Sequence, residues 1–267
     1  MSADSPAPDD ADADSATPGV TREAVLAALD GVTDPELDES VVELEYVQSV
    51  EVALPRIRVA FRLPTAWCSP AFAWMMASDM RAACESLDGC ERARVRLTDH
   101  LHGEEITEGV NAGRAFEDVF EDATEGVEAV REVLDGKARL KRQYDAAEAL
   151  LDSGCDPEQL ATLRRGDVTP TGDGRVAVCL DGLAVFADGE PVEHYIEKAV
   201  EVGVATDPDH RLFATPEGTD IDPDAFELVH RRARLAKTNM SGQGAVCDGL
   251  RRSRYGEDDG GEGLTGD

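Results

Sequence analysis

The chain has 267 residues, 42% of them apolar, which is enough to build one large hydrophobic core or two smaller ones. Its 56 acidic and 26 basic residues give a formal net charge of −30 at pH 7. This charge disfavours binding to nucleic acid, because phosphate backbones are bound by basic surfaces.

The two ends of the chain, residues 1–19 and 256–267, consist mainly of small and acidic residues. Without large apolar side chains they cannot bury enough surface to offset the conformational entropy lost on folding. We therefore expect a disordered acidic tail at each end, with folded structure between the two tails.

The first folded part is predicted between residues 20 and 100. A capping Thr and apolar residues at helical spacing in "TREAVLAALDGV" predict a helix, which ends in a loop at Pro35. Apolar and polar residues alternate on both sides of Pro55, in "VVELEYVQSVEVAL" and "RIRVAFRL", a pattern that predicts a β-hairpin. A helix over about residues 69–87 and a third strand, "RARVRL", follow. We expect a small α+β domain, with two helices packed on a three-stranded sheet.

The second folded part, residues 101–255, is predicted to be mainly α-helical. Helical patterns occur in "AGRAFEDVFEDA", "EGVEAVREVLDGKARLKRQYDAAEALLDSG", "DPEQLATLRRGD", "DPDAFELVHRRARLAKT" and "GAVCDGLRRSRY". The stretch "RVAVCL" is consistent with a strand. The predicted class is therefore α+β: a small three-stranded sheet with two helices, followed by a mainly helical C-terminal region.

Cys68 stands where the second predicted strand gives way to the long helix, and Pro70 favours a helix start just after it. A thiol before a helix N-terminus is close to the positive end of the helix dipole and to free N–H groups, which stabilise a thiolate. A thiolate binds metal or attacks a substrate, and the alternative is a small turn residue. We expect Trp67 and Trp74 to shield the site from water, and Thr65 to hydrogen-bond the turn.

The first part resembles a known family when its motifs are taken together. After the first helix come "DPE", a strand pair, a Thr-x-x-Cys-x-Pro turn that opens a helix, and a last strand. This order resembles the small iron–sulfur cluster assembly domain of the SufT/PaaD-like family, which serves metal–sulfur cluster biosynthesis. The "LPTAWC" turn with a helical C-terminal extension is similar to a subgroup associated with multicomponent monooxygenases.

The resemblance implies a site in which Cys68 is the metal ligand. Asp34 and Glu36 of the "DPE" loop, together with Thr65 and Trp67, would shape the pocket around it. The implied cargo is a labile iron–sulfur cluster, or iron. The implied partner is a client metalloprotein, such as an oxygenase component, and the implied role is assembly and delivery rather than catalysis.

Three further residues are candidate metal ligands. His100 and His102 follow the last strand in "TDHLHGEE", and a His-x-His pair on an extended segment points both rings to one side. Glu104 and Glu105 would add oxygen ligands, and the alternative is a polar linker with exposed histidines. Cys90, in the turn before the third strand, is a candidate secondary ligand. The remaining cysteines are expected to pack as small hydrophobic side chains: Cys84, Cys155, Cys179 and Cys247.

The number of thiolates limits the ways in which a cluster can be held. An iron–sulfur cluster usually takes about four of them, and one well-placed cysteine per chain cannot supply that number. We therefore expect a homodimer or a complex with the client. Two other functions stay open: a metal-free interaction subunit or chaperone of an oxygenase complex, and a thiol-dependent enzyme with Cys68 as nucleophile.

The composition also indicates the setting in which the protein works. A surface dense in carboxylates stays hydrated at high salt concentration, and the salt screens the repulsion between them. We therefore predict a cytoplasmic protein from a salt-adapted, halophilic organism, the alternative being an ordinary acidic protein. No segment has the pattern of a secretory signal or a transmembrane helix, so we expect no membrane association.

Overall fold

A computed structural model describes residues 20–121, 126–180 and 182–255 of the chain. The two tails predicted to be disordered, residues 1–19 and 256–267, lie outside the described residues.

The chain begins its folded part with helix α1 (Arg22–Asp30). The hydroxyl of Thr21 accepts the N–H of Ala24 at 3.2 Å, so Thr21 caps this helix as predicted. Two short antiparallel strands follow, β1 (Thr33–Asp34) and β2 (Glu39–Ser40). The predicted turn at Pro35 joins these two strands.

The first sheet has three strands in the order in which they follow along the chain, β3 (Val47–Ala53), β4 (Arg56–Arg62) and β5 (Arg92–Thr98). β3 and β4 form the predicted antiparallel hairpin, whereas β4 and β5 are parallel and are connected by helix α2 (Pro70–Glu85). The order helix, strand, strand, helix, strand is therefore confirmed.

Alternation of apolar and polar residues decides which face of this sheet is buried. In β4 the side chains of Ile57, Val59 and Phe61 are buried in the first hydrophobic core, and alternate residues of β5 are buried in the same way. The intervening side chains, mainly arginine, lie on the opposite face. A strand period of two residues produces this division directly.

Helix α3 (Gly103–Ala112) follows β5 and was not predicted. It covers the free edge of β5, where the hydroxyl of Thr107 accepts the N–H of Leu97 at 3.1 Å. The side-chain amide of Asn111 accepts the N–H of Val95 at 3.0 Å and donates to its carbonyl oxygen at 2.7 Å. These bonds occupy backbone groups that an exposed edge strand would offer to other chains.

The prediction of a helix in "AGRAFEDVFEDA" is wrong for residues 113–121, which form turns. Gly113, at φ 68°, ends α3 in the left-handed conformation. Phe116 and Phe120 then pack edge-on against Trp74, with ring centroids 5.6 Å and 6.3 Å away. Burial of these aromatic rings against α2 outweighs the local helical pattern.

The second hydrophobic core lies in the C-terminal region. Its helices are α4 (Val127–Asp152), α5 (Pro157–Thr162), α6 (Gly189–Glu201) and α7 (Phe226–Tyr255), and an antiparallel sheet contains β6 (Val168–Pro170), β7 (Arg175–Leu180) and β8 (Leu183–Asp188). The predicted strand "RVAVCL" is confirmed as β7. The two helices predicted near the C-terminus are a single helix, α7. The region is mainly helical, so the predicted α+β class is confirmed.

Helix α4 attaches the C-terminal region to the loop that carries the "DPE" motif. Asp38, whose side chain is only 3% exposed, forms a bidentate pair with Arg142 at 2.7 Å and 2.9 Å. Lys141 donates to the carbonyl oxygen of Leu37 at 2.9 Å. The loop between β1 and β2 is thus fixed by residues from outside its own domain.

Candidate functional site

Cys68 lies in the turn between β4 and α2. Helix α2 begins at Pro70, two residues after Cys68, as predicted. The thiol is half-buried and packs against the first core. The Thr65 hydroxyl lies 3.4 Å from its sulfur and accepts the N–H of Trp67 at 3.2 Å, which confirms that Thr65 hydrogen-bonds the turn. The hydroxyl hydrogen can point at the sulfur, so Thr65 can also donate a hydrogen bond to Cys68.

His100 holds this turn in place from the end of β5. Its Nδ1 accepts the N–H of His102 at 3.1 Å, and its Nε2 lies 2.9 Å from the carbonyl oxygen of Cys68. A carbonyl oxygen only accepts, so Nε2 carries the hydrogen. Burial lowers the pKa of His100, which keeps the ring neutral. Because both ring nitrogens are engaged, this conformation does not present His100 as the metal ligand that the sequence suggested.

His102 also differs from its predicted geometry. It lies in the turn before α3, with φ −106° and ψ 29°, and not on an extended segment. Its ring packs edge-on against Phe120 at 5.4 Å, and its Nδ1 is 3.8 Å from a carboxylate oxygen of Glu105. Within residues 20–121, 126–180 and 182–255, no three His, Cys, Asp or Glu side chains are grouped closely enough to hold a metal ion.

The two tryptophans do not form the expected shield around the thiol. Trp67 is 78% exposed, whereas Trp74 is 5% exposed and belongs to the first core. The expectation of joint shielding was wrong because the two residues point to opposite environments across the start of α2. Cys68 therefore has an exposed aromatic neighbour in Trp67, whereas Trp74 lies in the first core.

The loop that carries the "DPE" motif, called the acidic loop below, contacts Tyr46, which lines a cavity together with Pro64 ahead of the Cys68 turn. Asp34 is 8% exposed, and its carboxylate accepts the N–H of Glu36 at 2.8 Å and the hydroxyl of Tyr46 at 3.2 Å. Burial raises the pKa of Asp34. Burial, followed by the negative charge of Asp34, raises the pKa of Tyr46. Perturbed groups of this kind concentrate at functional sites.

Comparison with known proteins identifies the first domain. The family model described as "Iron-sulfur cluster assembly protein" matches residues 22–97. The uncharacterized protein MJ1129 of Methanocaldococcus jannaschii is 35% identical over 91 residues, which make up 33% of this chain and 93% of that protein. The chain belongs to the iron–sulfur cluster assembly protein family. No solved structure matches the chain.

The family match covers the elements from α1 to β5 and so includes the "DPE" loop and the Cys68 turn. Family membership indicates a role in iron–sulfur cluster assembly. This role is indicated by residues 22–97, which we call the assembly domain. Helices α3 to α7 and the second sheet lie outside the match. None of the helices in the described part of the chain is both long and apolar enough to cross a membrane.

Cys90 does not reach the Cys68 turn. It lies just before β5, and in the parallel pair Arg92 stands opposite Arg56, at the start of β4. Cys68 follows the end of β4, and seven residues of strand span about 20 Å. The two thiols are therefore at opposite ends of the sheet. Of the cysteines expected to pack, Cys84 and Cys155 are buried, whereas Cys179 is exposed on β7.

Cys247 was expected to pack as a small hydrophobic side chain, but the structure places it against the assembly domain. It is half-buried in α7, and it lines a cavity of about 340 Å³ together with Tyr46 and Pro64 of the assembly domain. No spacing rule connects a cysteine in a C-terminal helix to one in the assembly domain. Only the docking of α7 brings them to the same side of the molecule.

Proposed function

We propose that this protein is a carrier that holds an iron–sulfur cluster, or iron, through Cys68 and delivers it to a client metalloprotein. The observation that supports this proposal best is the setting of Cys68, a half-exposed thiol before α2 with the hydroxyl of Thr65 beside it. Thiolates are the usual ligands of iron–sulfur clusters. Partial exposure suits a carrier, because the receiving ligand has to reach the metal before the first one leaves.

The proposal includes a cluster that is shared between two proteins. About four thiolates are needed, so a second copy of the chain or the client would complete the ligand set. Trp67 supports this part of the proposal, since it is a large exposed aromatic residue next to Cys68 that a second protein would cover. The resemblance to monooxygenase-associated proteins makes an oxygenase component the proposed client.

The proposal is tested by anaerobic reconstitution of the full chain with ferrous iron and sulfide. We expect visible absorption from a bound cluster, with iron and acid-labile sulfide retained after desalting. Cys68→Ser is expected to retain little of either. Cys179→Ser is the matched control, because it removes an exposed thiol far from the assembly domain and is expected to behave as wild type.

The alternatives predict different results in the same samples. A metal-free interaction subunit would show no cluster in wild type or in any variant. A thiol-dependent enzyme would show rapid stoichiometric alkylation of Cys68 without cluster binding. A wild-type absorption spectrum that Cys68→Ser reproduces in full would remove Cys68 from its proposed role.

A further inference from the structure

We infer that Cys247 of α7 is a second cargo ligand that acts beside Cys68, so that one chain offers two thiolates to an iron–sulfur cluster. This inference rests on the proposed function of Cys68. It adds a ligand from the C-terminal region, which lies outside the family-matched domain.

The first observation is the face of α7 on which Cys247 lies. The side-chain amide of Gln243 donates to a carboxylate oxygen of Glu36 at 3.1 Å, and Arg251 forms an ion pair with Glu45. Residues four apart share one face of a helix. Cys247 is midway between Gln243 and Arg251, so it faces the assembly domain between two direct contacts.

The second observation is that α7 continues past the Cys68 turn. Arg254 donates to the carbonyl oxygen of Asp99 at 3.0 Å. Asp99 precedes His100, whose ring binds the Cys68 carbonyl oxygen. The contacts of α7 therefore extend from Glu36 in the acidic loop to Asp99, which is next to His100. Cys247 lies between these contacts along α7 and lines a cavity together with Tyr46.

The charges around Cys247 favour a cation at this place. Burial, followed by the negative charges of Asp34 and Glu36, raises the pKa of Cys247 to about 11. A metal ion bound here would be attracted by these two carboxylates, and its bond to Cys247 would displace the thiol proton.

The inference sets the number of thiolates that one chain offers to a cluster at two. Cys84 and Cys155 are buried, Cys90 lies at the other end of the first sheet, and Cys179 is on the second sheet. Two thiolates from each of two chains make four, the number that an iron–sulfur cluster usually takes. A homodimer would then hold a cluster without any further ligand.

Cobalt(II) binding to the reduced, metal-free chain tests the inference without a cluster. Each cobalt–thiolate bond adds to a charge-transfer band in the near ultraviolet, so the band reports the number of thiolates bound. We expect Cys68→Ser and Cys247→Ser each to lose about half of the wild-type band at saturating cobalt, as two equivalent soft ligands would. Cys179→Ser is expected to retain the whole band.

Cluster release is the second readout, measured on reconstituted protein with an iron chelator. Cys247→Ser is expected to lose its cluster at least about tenfold faster than wild type, the scale of effect seen when a supporting group at a metal site is removed. Thermal unfolding of the metal-free variants checks that the Ser substitutions leave the fold intact.

The outcomes separate the inference from the proposed function. If Cys68→Ser abolishes cluster and cobalt binding but Cys247→Ser matches wild type in both assays, Cys68 keeps its role and the inference is overturned. If wild type retains neither a cluster nor iron, the proposed function fails. A halved cobalt band in Cys247→Ser would still support a two-thiolate metal site, whereas an unchanged band would overturn it.

Discussion

Asp34 is a buried carboxylate that no cationic side chain of the described residues neutralises. Its partners are the N–H groups of Glu36 and Leu37 and the Tyr46 hydroxyl. Burial raises its pKa above the value in the unfolded chain, and Glu39 acts in the same direction. Its ionised form therefore destabilises the folded state at neutral pH.

We predict that Asp34→Asn raises the free energy of unfolding at pH 7 by up to about 2 kcal/mol. Asn preserves the acceptor for the two N–H groups and removes the buried charge. Because a raised folded-state pKa favours folding at low pH and penalises it at high pH, the advantage of the variant should shrink as pH falls. Denaturant titrations of both proteins at several pH values measure this, and a variant less stable than wild type at pH 7 would contradict it.

His100 gives a second prediction, which separates its positioning role from metal ligation. His100→Ala removes the hydrogen bond to the Cys68 carbonyl oxygen and the one from the His102 N–H. We expect it to lower the free energy of unfolding by about 1–2 kcal/mol. The cobalt–thiolate band should keep its full intensity, because His100 contributes no thiolate and both of its nitrogens bind backbone. The exposed His194→Ala is the control and should change stability by less than about 0.5 kcal/mol. Loss of cobalt binding in His100→Ala at unchanged stability would instead indicate a histidine ligand.

Whether a site residue could be predicted from the sequence depends on how close its contacts are along the chain. Thr65 and Cys68 belong to one turn, so their contact follows from the "TAWC" spacing. The position of His100 against the Cys68 carbonyl depends on the parallel pairing of β4 and β5. Cys247 depends on the packing of α7, which no local pattern encodes.

At the scale of elements, the contact between α2 and α3 depends on one glycine. A Cβ atom at Gly109 would lie 2.6 Å from the Trp74 ring, whereas a Cβ atom at Gly136 in α4 would meet nothing within 4 Å. Gly109→Ala should therefore lower the free energy of unfolding by about 1–3 kcal/mol through overpacking. Gly136→Ala should raise it by up to about 1 kcal/mol through helix propensity. Urea denaturation of the pair checks this, and equal effects in both variants would contradict it.

The attachment of α4 to the acidic loop gives a further prediction. Arg142→Gln leaves the buried carboxylate of Asp38 without its bidentate partner, with Lys141 still 3.8 Å away. We expect a loss of about 3 kcal/mol in the free energy of unfolding, the lower end of the range for breaking a buried ion pair. Arg175→Gln removes an exposed pair with Asp173 and should cost less than about 1 kcal/mol. Similar losses in the two variants would show that the α4 contact does not stabilise the fold.

Elements with strong local patterns were predicted, and those that depend on tertiary contacts were not. The capped helix α1, the hairpin and α4 each have a period and end signals of their own. Helix α3 was missed because it begins in a histidine-containing turn without a side-chain cap. Residues 113–121 were assigned to a helix because their apolar spacing fits one, yet packing against Trp74 determines their conformation.

At the scale of the whole molecule, the net charge of −30 governs the response to salt. Raising KCl from 0.1 M to 1 M shortens the Debye length from about 10 Å to about 3 Å, which weakens repulsion between surface carboxylates. We expect the melting temperature to rise, by about 2–4 °C for each kcal/mol gained in a chain of this size. Sucrose, a non-electrolyte, is the control. An unchanged or lower melting temperature in 1 M KCl would argue against salt adaptation.

The central claim is that the assembly domain binds an iron–sulfur cluster, or iron, through the sulfur of Cys68. Anaerobic native mass spectrometry of the reconstituted chain tests it most directly, because it weighs iron and sulfide on the intact protein and counts the copies of the chain in each species. We predict a cluster-bearing species for wild type that is lost in Cys68→Ser and retained in Cys179→Ser. The same mass increment in Cys68→Ser as in wild type would contradict the claim.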